Sequence, residues 1–151
     1  MDPTSTRTHF APTTEMQPGE RLIERFRGDR ATYWREHAWL AAIAMAGGMA
    51  ILWSLGNPHV WTGAIGGLLA IAVRAFYLAS DETRMEWWLT NERLLGPGPR
   101  AISLDNISKV RSLFSAVQIV TVTGDKHLLK YQADPNAVIG EIERAKSGVA
   151  A

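Results

Sequence analysis

The residue types that most often carry out chemistry in proteins are present in this chain, but their spacing matches no catalytic or metal-binding motif. Four histidines occur, at positions 9, 37, 59 and 127, without the close spacing that a metal site needs. The chain has no cysteine, which excludes disulfides, thiolate nucleophiles and cysteine metal ligands. Its serines lie outside any nucleophile motif. We therefore predict no catalytic residue, no metal site and no cofactor.

One glycine-rich stretch, Gly96-Pro97-Gly98-Pro99, has the composition of a loop that cradles phosphate. Two of its four residues are prolines, which have no backbone N–H to donate to a phosphate oxygen, so the stretch is predicted to be a turn. The net charge of +1 provides no long-range field that would attract nucleic acid. We therefore predict a protein that is not an enzyme and that binds neither nucleic acid nor a small-molecule substrate.

The most informative pattern is a long stretch without charged side chains. No Asp, Glu, Lys or Arg occurs from residue 37 to residue 73, whereas the sequence on both sides is densely charged. Two apolar runs fill this stretch and are separated by Gly56-Asn57-Pro58-His59. About 20 helical residues cross the hydrocarbon core of a bilayer, and proline begins a helix readily. We therefore predict a transmembrane helical hairpin over residues 33–80, with helices at 33–55 and 58–80.

The alternative is a hairpin buried inside a soluble protein. A helix of a soluble protein usually carries a polar face. The run from Ala38 to Leu55 offers only Ser54 as a polar side chain. The pattern therefore favours the membrane.

The distribution of arginine predicts the orientation of the hairpin. Arginines lie before the first predicted helix and after the second, and the connecting turn has none. Because cytoplasmic loops carry the excess of Lys and Arg, we predict a multi-pass protein of the bacterial inner membrane with both termini in the cytoplasm. The arginines predicted to face lipid headgroups are Arg21, Arg25, Arg27, Arg30, Arg35 and Arg84. The side chains predicted to anchor the hairpin at the two interfaces are Trp34, Trp39, Trp53, Trp61 and Tyr77.

Small residues recur at four-residue spacing in both predicted helices, which lets helix backbones approach closely in lipid. Two interpretations are open. Either these residues pack the two helices against each other, or a surplus stripe packs against another membrane protein or a second copy of the chain. Ala44 and Gly48 share the spacing. The predicted helix-packing or partner interface consists of Ala42, Ala46, Ala50, Gly63, Gly66, Gly67, Ala70 and Arg74.

Arg74 is the charged member of this set. It lies about 21 Å along the second helix from Val60, near the predicted cytoplasmic side. A long side chain at that depth can extend to the headgroups. A salt bridge to a partner subunit is the alternative role.

The chain before the hairpin is predicted to have two parts. Residues 1–19 are rich in Thr, Pro and Ser, lack the apolar core of a secretory signal, and are predicted to be a disordered tail. Residues 20–32 form an amphipathic juxtamembrane segment in which Leu22, Ile23 and Phe26 share one helical face. This segment either lies on the bilayer surface or pairs, as a strand or a helix, with the C-terminal domain.

After residue 80 the hydrophobic period changes from that of a helix to that of a strand. Short alternating or β-branched runs separated by turn residues predict an antiparallel sheet. Asp134 is a good N-cap and Pro135 a good first residue for a closing helix, which Gly148 is predicted to end. Residues 81–147 are therefore predicted to form a small cytoplasmic β domain with a C-terminal helix, followed by a tail at 148–151.

Three segments carry a resemblance to a known family. The stretch Trp88-Leu89-Thr90-Asn91-Glu92-Arg93-Leu94-Leu95 looks like the "Y-x-L-T-x-x-R-L" opening of bacterial pleckstrin-homology-like membrane proteins. Residues 102–110 are similar to the family's "I-x-L-x-x-I-x-x-V" segment, and Asp134-Pro135 with the helix after it resembles its closing helix. The resemblance covers about residues 20–146. It implies a hairpin followed by a pleckstrin-homology-like domain without catalytic residues.

The predicted fold class is thus an α+β membrane protein, a two-helix transmembrane hairpin followed by a small antiparallel pleckstrin-homology-like β domain with a C-terminal helix. The predicted function is a non-enzymatic, membrane-anchored binding module that contacts a protein partner, and also anionic lipid, at the cytoplasmic face. The alternative is an accessory or assembly subunit of a larger membrane complex, such as a photosynthetic or respiratory one.

Basic residues of the domain either cover solvated strand faces or face anionic headgroups. They are Arg93, Arg100, Lys109, Arg111, Lys126 and Lys130. The turn at 96–99 supplies no cation, whereas a phosphoinositide pocket needs several converging from one loop. The decisive surface is therefore predicted to be proteinaceous.

Overall fold

The chain folds into two units, of which the second interrupts the first. A computed structural model describes residues 10–150. A β unit comprises the chain up to Asp29 and from Asp81 onward, and a helical unit comprises Arg30–Ser80. The predicted α+β layout of two long apolar helices, antiparallel strands and a closing helix is confirmed. The structure adds one strand before the helices, so that the helical unit is inserted between the first and second strands.

The helical unit consists of α1, Arg30–Ser54, and α2, Trp61–Glu82. Both helices are long and apolar enough to cross a membrane. The second helix begins at Trp61 rather than at Pro58, because Asn57 Oδ1 accepts a hydrogen bond from the His59 N–H (2.8 Å) and holds Pro58 in an Asx-type turn. The Thr62 hydroxyl then donates to the His59 carbonyl oxygen (2.7 Å) and stabilises the first turn of α2.

Close backbone contact joins α1 to α2. A Cβ atom added at Gly63 would clash with the backbone of Gly48, and one added at Gly67 would clash with the backbone of Ala44. Glycine at these two positions therefore sets the distance between the helices. Nearer the other end of the unit, the Tyr33 hydroxyl donates to the Ala75 carbonyl oxygen (2.8 Å), which ties the helices together where the side chains are buried.

The β unit contains two antiparallel sheets and one helix. The first sheet has the order β1-β2-β3-β4 and the second the order β5-β6-β7. A single 3-10 turn at Leu104–Asn106 joins them. The strands are β1 Leu22–Arg27, β2 Glu86–Thr90, β3 Arg93–Leu95, β4 Ala101–Ser103, β5 Ile107–Leu113, β6 Ala116–Thr121 and β7 Lys126–Leu129, and the helix is α3, Pro135–Ala150.

One hydrophobic core lies between the two sheets and α3. The helix contributes Val138, Ile142 and Ala145 to it. Of the two adjacent tryptophans on β2, Trp87 lies in this core and Trp88 is half-buried on the opposite face, as the alternation of a strand requires. Asp134 Oδ1 accepts a hydrogen bond from the Ala137 N–H (3.1 Å), so the predicted N-cap of α3 is present.

Three further segments differ from the predictions. Residues 20–32 are not a separate juxtamembrane segment, because they contain β1, whose pairing with β2 runs from Leu22 opposite Thr90 to Arg27 opposite Glu86. The predicted disordered tail is ordered over residues 10–19, where backbone hydrogen bonds join it to the rest of the β unit, such as that from the Thr13 N–H to the Gly98 carbonyl oxygen (2.9 Å). Residues 1–9 and 151 lie outside the described residues.

The third difference concerns the end of α3. The helix continues through Gly148 to Ala150 instead of ending there. Val149 packs against the hydrophobic core. Its burial offsets the cost of about 1 kcal/mol that glycine imposes in a helix.

The contact between the two helices predicts that leucine lowers the free energy of unfolding at one of two neighbouring glycines and not at the other. Gly67→Leu places a side chain against the backbone of α1 and should lower the free energy of unfolding by about 1–3 kcal/mol or more, the usual cost of overpacking. Gly66→Leu should leave it unchanged, because a Cβ there meets no atom within 4 Å. Unfolding of the detergent-solubilised protein, followed by circular dichroism, measures both. Equal effects of the two substitutions would contradict the helix contact.

Candidate functional surfaces

The chain leaves the β unit and returns to it at one end of the β1–β2 pair. Arg27 and Glu86 are the last partners of that pair, and the Arg27 Nε lies 3.4 Å from a Glu86 carboxylate oxygen. The Asp29 N–H donates to the Tyr131 carbonyl oxygen (2.6 Å). Lys130 Nζ lies 3.2 Å from the carboxylate of Glu82. We call this end of the β unit the junction end, because it holds Asp29 and Glu82.

A buried ion pair fixes the segment before β1 to the turn between β2 and β3. The Glu20 carboxylate is fully buried and accepts hydrogen bonds from Arg93 Nη2 (2.6 Å) and Nε (3.1 Å). The Thr90 hydroxyl (2.6 Å) and the Gln17 N–H (2.7 Å) also donate to it. Thr90 and Arg93 are the two polar positions that the quoted family pattern specifies in the stretch from Trp88 to Leu95. In this chain their observed role is to hold Glu20.

Arg93 sets the charge state of this pair. Its hydrogen bond lowers the pKa of the Glu20 carboxyl to about 2, against the opposing effect of burial, and the hydrogen bonds from Thr90 and from the backbone of Gln17 act in the same direction as Arg93. The Glu20 hydrogen bond in turn raises the pKa of Arg93. Both groups are therefore charged at neutral pH. The residue that sequence reasoning missed here is Glu20, which lies 73 residues from Arg93 and carries no local signal.

The six arginines predicted to face headgroups are all exposed. Two of them also have partners within the β unit. The Arg25 guanidinium lies 4.9 Å from the centre of the Trp88 ring, a cation–π distance, and Arg27 pairs with Glu86. These contacts hold Arg25 and Arg27 along β1 while leaving both side chains exposed.

The structure separates the predicted helix interface into two groups. Gly63 and Gly67 face α1, where their counterparts are Gly48 and Ala44. The remaining members lie on the outer surface of the helical unit and are exposed. They are Ala42, Ala46, Ala50, Gly66, Ala70 and Arg74.

From residue 38 to residue 73, the rest of the outer surface of the helical unit is mainly apolar and aromatic. Arg74 makes no ion pair with any residue that the structure describes. The five predicted anchors project outward, with exposed fractions of 39% for Trp34, 69% for Trp39, 76% for Trp53, 59% for Trp61 and 82% for Tyr77.

One concave site in the β unit contains an ion pair. A cavity of about 230 Å³ is bordered by Trp87, Arg100 and the Lys130–Glu82 pair. Glu82 offsets one of the two cations, so the cavity lacks the converging positive charge that a phosphate site needs. Within residues 10–150, no group of three or more His, Asp or Glu side chains is placed to hold a metal ion.

Comparison of the chain with models of protein families, with curated proteins and with solved structures found no match.

The buried ion pair predicts a specific acid sensitivity. The pKa of Glu20 is about 2 in the folded protein and about 4.5 in the unfolded chain, so the stabilisation is complete above pH 4.5 and is lost as the pH falls from about 4.5 to 2. The loss should amount to about 3 kcal/mol. Urea unfolding of the solubilised protein between pH 2.5 and 7 measures it.

Glu20→Gln should remove this dependence and also lower stability at pH 7, since it leaves Arg93 with most of its side chain buried and without a counter-charge. Glu24→Gln, at an exposed position on β1, is the matched control and should retain the dependence. A wild-type pH profile that Glu20→Gln leaves intact would show that other groups carry the acid sensitivity.

Proposed function

We propose that the protein is a membrane-anchored, non-enzymatic binding module of the bacterial inner membrane, in which α1 and α2 cross the bilayer and the β unit lies on the cytoplasmic side. The observation that carries the proposal is how little of the apolar hairpin is buried. Only 11% of the apolar window of α1 and 6% of that of α2 are buried, whereas the core helix of a soluble protein is mostly buried. Lipid is the environment in which such a surface is stable.

The insertion of the hairpin into the β unit supports the topology. Strands β1 and β2 pair directly, so the residues before α1 and after α2 must lie on the same side of any membrane. Two crossings satisfy this requirement and one does not. The arginines flank the hairpin on the side of the β unit and are missing from its turn, which favours a cytoplasmic β unit.

The architecture of the β unit supports a pleckstrin-homology-like module. A four-stranded and a three-stranded antiparallel sheet are closed by a C-terminal helix, the layout that the family resemblance implies. Charged groups of the unit, such as Glu20 with Arg93 and Lys130 with Glu82, pair with each other. This arrangement favours a binding role over catalysis, and a protein partner over a phosphoinositide.

One observation favours a second function, that of an accessory or assembly subunit of a larger membrane complex. The hairpin uses Gly48, Gly63, Gly67 and Ala44 for its own packing, and it leaves further small residues on its outer surface. These remaining residues offer lipid-embedded helices of another protein a place of close approach.

The topology is testable by cysteine labelling, because the chain contains no cysteine of its own. His59→Cys, in the turn between the helices, should react in intact cells with a membrane-impermeant maleimide. Lys126→Cys, exposed at the start of β7, should react only after the membrane is opened. Labelling of Lys126→Cys in intact cells would contradict the cytoplasmic location of the β unit, and protection of His59→Cys would contradict two crossings.

Association of the protein with a partner through the outer surface of α2 is testable by measuring the size of the purified complex. Gly66→Leu with Ala70→Leu should abolish any complex seen after purification in mild detergent without unfolding the hairpin, since a Cβ at Gly66 meets no atom within 4 Å. Ala72→Leu, exposed on another face of α2, is the matched control and should leave the complex intact. Mass spectrometry of the purified complex identifies the partner. Loss of the complex in Lys109→Gln with Arg111→Gln, but not in the leucine variant, would place the partner on the β unit instead.

A further inference from the structure

The turn between β5 and β6 carries an aromatic side chain that the β unit does not bury. Phe114 and Ser115 form this two-residue turn, and the residues on either side of it, Leu113 and Ala116, pair with each other. The exposed fractions of Phe114 and Leu113 are 95% and 44%. The tip of the hairpin is therefore an apolar projection, which we call the Phe114 tip.

The backbone at Phe114 adds to the cost of placing a large residue there. Its φ of 57° lies in the left-handed region, which is disfavoured for residues with a Cβ atom and which two-residue hairpin turns usually assign to glycine or asparagine. Phenylalanine thus accepts an unfavourable backbone conformation without burying its ring. The stability of the β unit does not account for this residue, whereas a contact outside the chain does.

The Phe114 tip lies at the junction end of the β unit. The Ser115 carbonyl oxygen accepts a hydrogen bond from the Gln132 N–H (2.8 Å), and the carbonyl oxygen of the preceding residue, Tyr131, accepts one from the Asp29 N–H (2.6 Å). Asp29 directly precedes α1. The Phe114 tip therefore lies close to the point where the chain enters the helical unit, because hydrogen bonds to the consecutive residues Tyr131 and Gln132 connect the two.

The opposite end of the same sheet has different chemistry. Strand β6 has six residues and spans about 20 Å, so the turn after it lies far from the junction end. In that turn the hydroxyls of Thr121 and Thr123 and the carboxylate of Asp125 form hydrogen bonds with each other and with the backbone. Only Val122 is apolar and exposed there.

We infer that the Phe114 tip inserts into the interfacial layer of the bilayer and forms a third membrane contact beside the two helices. The inference rests on the proposed function, because its occupant is the lipid that α1 and α2 cross. The charged start of α1, from Arg30 to Glu36, is about 10 Å long. That length is comparable to the headgroup layer, about 5–8 Å on each side of the hydrocarbon core. With α1 crossing the bilayer, Asp29 at the junction end is therefore only about 10 Å along the helix from the hydrocarbon core, whose edge is where aromatic side chains are favoured.

Two exposed cations lie on the strand that precedes the Phe114 tip. Lys109 and Arg111 precede it on β5, and both are exposed. Cations beside an inserted aromatic residue lie at the level of the lipid phosphates and add electrostatic attraction to anionic membranes. The combination of an apolar tip and basic flanks on one strand fits a lipid surface.

The inference is testable by depth-dependent fluorescence quenching on the full-length protein in nanodiscs of phosphatidylcholine and phosphatidylglycerol. Phe114→Cys, Val122→Cys and Leu69→Cys, each labelled with nitrobenzoxadiazole, report on the tip, on the opposite turn and on the middle of α2. A lipid with a nitroxide near its headgroup should quench the label at 114 several-fold more strongly than the label at 122. Aqueous iodide should show the reverse order.

A label at 114 that iodide quenches as strongly as the label at 122 would overturn the inference. So would a label shielded from both quenchers, which indicates contact with a second copy of the chain. The label at Leu69, exposed on α2, separates the two proposals. If a nitroxide at the bilayer centre fails to quench it, the proposed function fails. If it is quenched while the label at 114 is not, only the Phe114 contact fails.

Leu113→Cys provides a variant that keeps the phenylalanine. Its label should be quenched by the headgroup nitroxide, and combining it with Phe114→Ser should reduce that quenching at least two-fold. An unchanged value would show that Phe114 does not carry the insertion.

Discussion

The pairing of β1 with β2 is the interaction on which the rest of the structure depends. These strands are neighbours in the sheet, yet the whole helical unit separates them along the chain. Bringing distant segments together costs loop-closure entropy. The hairpin reduces that cost because α1 and α2, of 25 and 22 residues, pack side by side through their glycines and so place the two ends of the insertion next to each other. Helix packing in one unit therefore prepares strand pairing in the other.

The polar and the apolar groups of the chain have different roles. The buried side chain of Glu20 forms an ion pair with Arg93, and Lys130 forms one with Glu82 at the junction end. The buried pair stabilises the β unit at neutral pH. Large apolar groups nevertheless remain exposed, namely on the outer surface of the hairpin and at the Phe114 tip. The proposed contacts with lipid and with other membrane-embedded surfaces rest on these exposed apolar groups.

Local patterns allowed much of the fold to be predicted, and long-range contacts limited the rest. The absence of charge from residue 37 to residue 73 predicts the helices, and Asp134-Pro135 predicts the start of α3, because each signal lies within one segment. The sequence does not specify the first strand, since Leu22, Ile23 and Phe26 suit a helix, a strand or a membrane surface until the partner strand is known. Which small residues face each other depends on how each helix is rotated, and the spacing gives no information on rotation. The partner of Arg93 is likewise far away in sequence, and the exposure of Phe114 depends on where its turn lies in the sheet.

The central claim is that a membrane-crossing hairpin is inserted between the paired strands β1 and β2. Its most direct test combines protease cleavage of the hairpin turn with a disulfide between the two strands. A protease site inserted between Asn57 and Pro58 is combined with Arg27→Cys and Glu86→Cys, whose positions face each other in the β1–β2 pair. Spheroplasts are oxidised and then treated with protease from outside. The account predicts that the chain is cut, that the two fragments migrate as one species without reductant, and that they separate with it. Cleavage only after lysis, or fragments that separate without reductant, would contradict it.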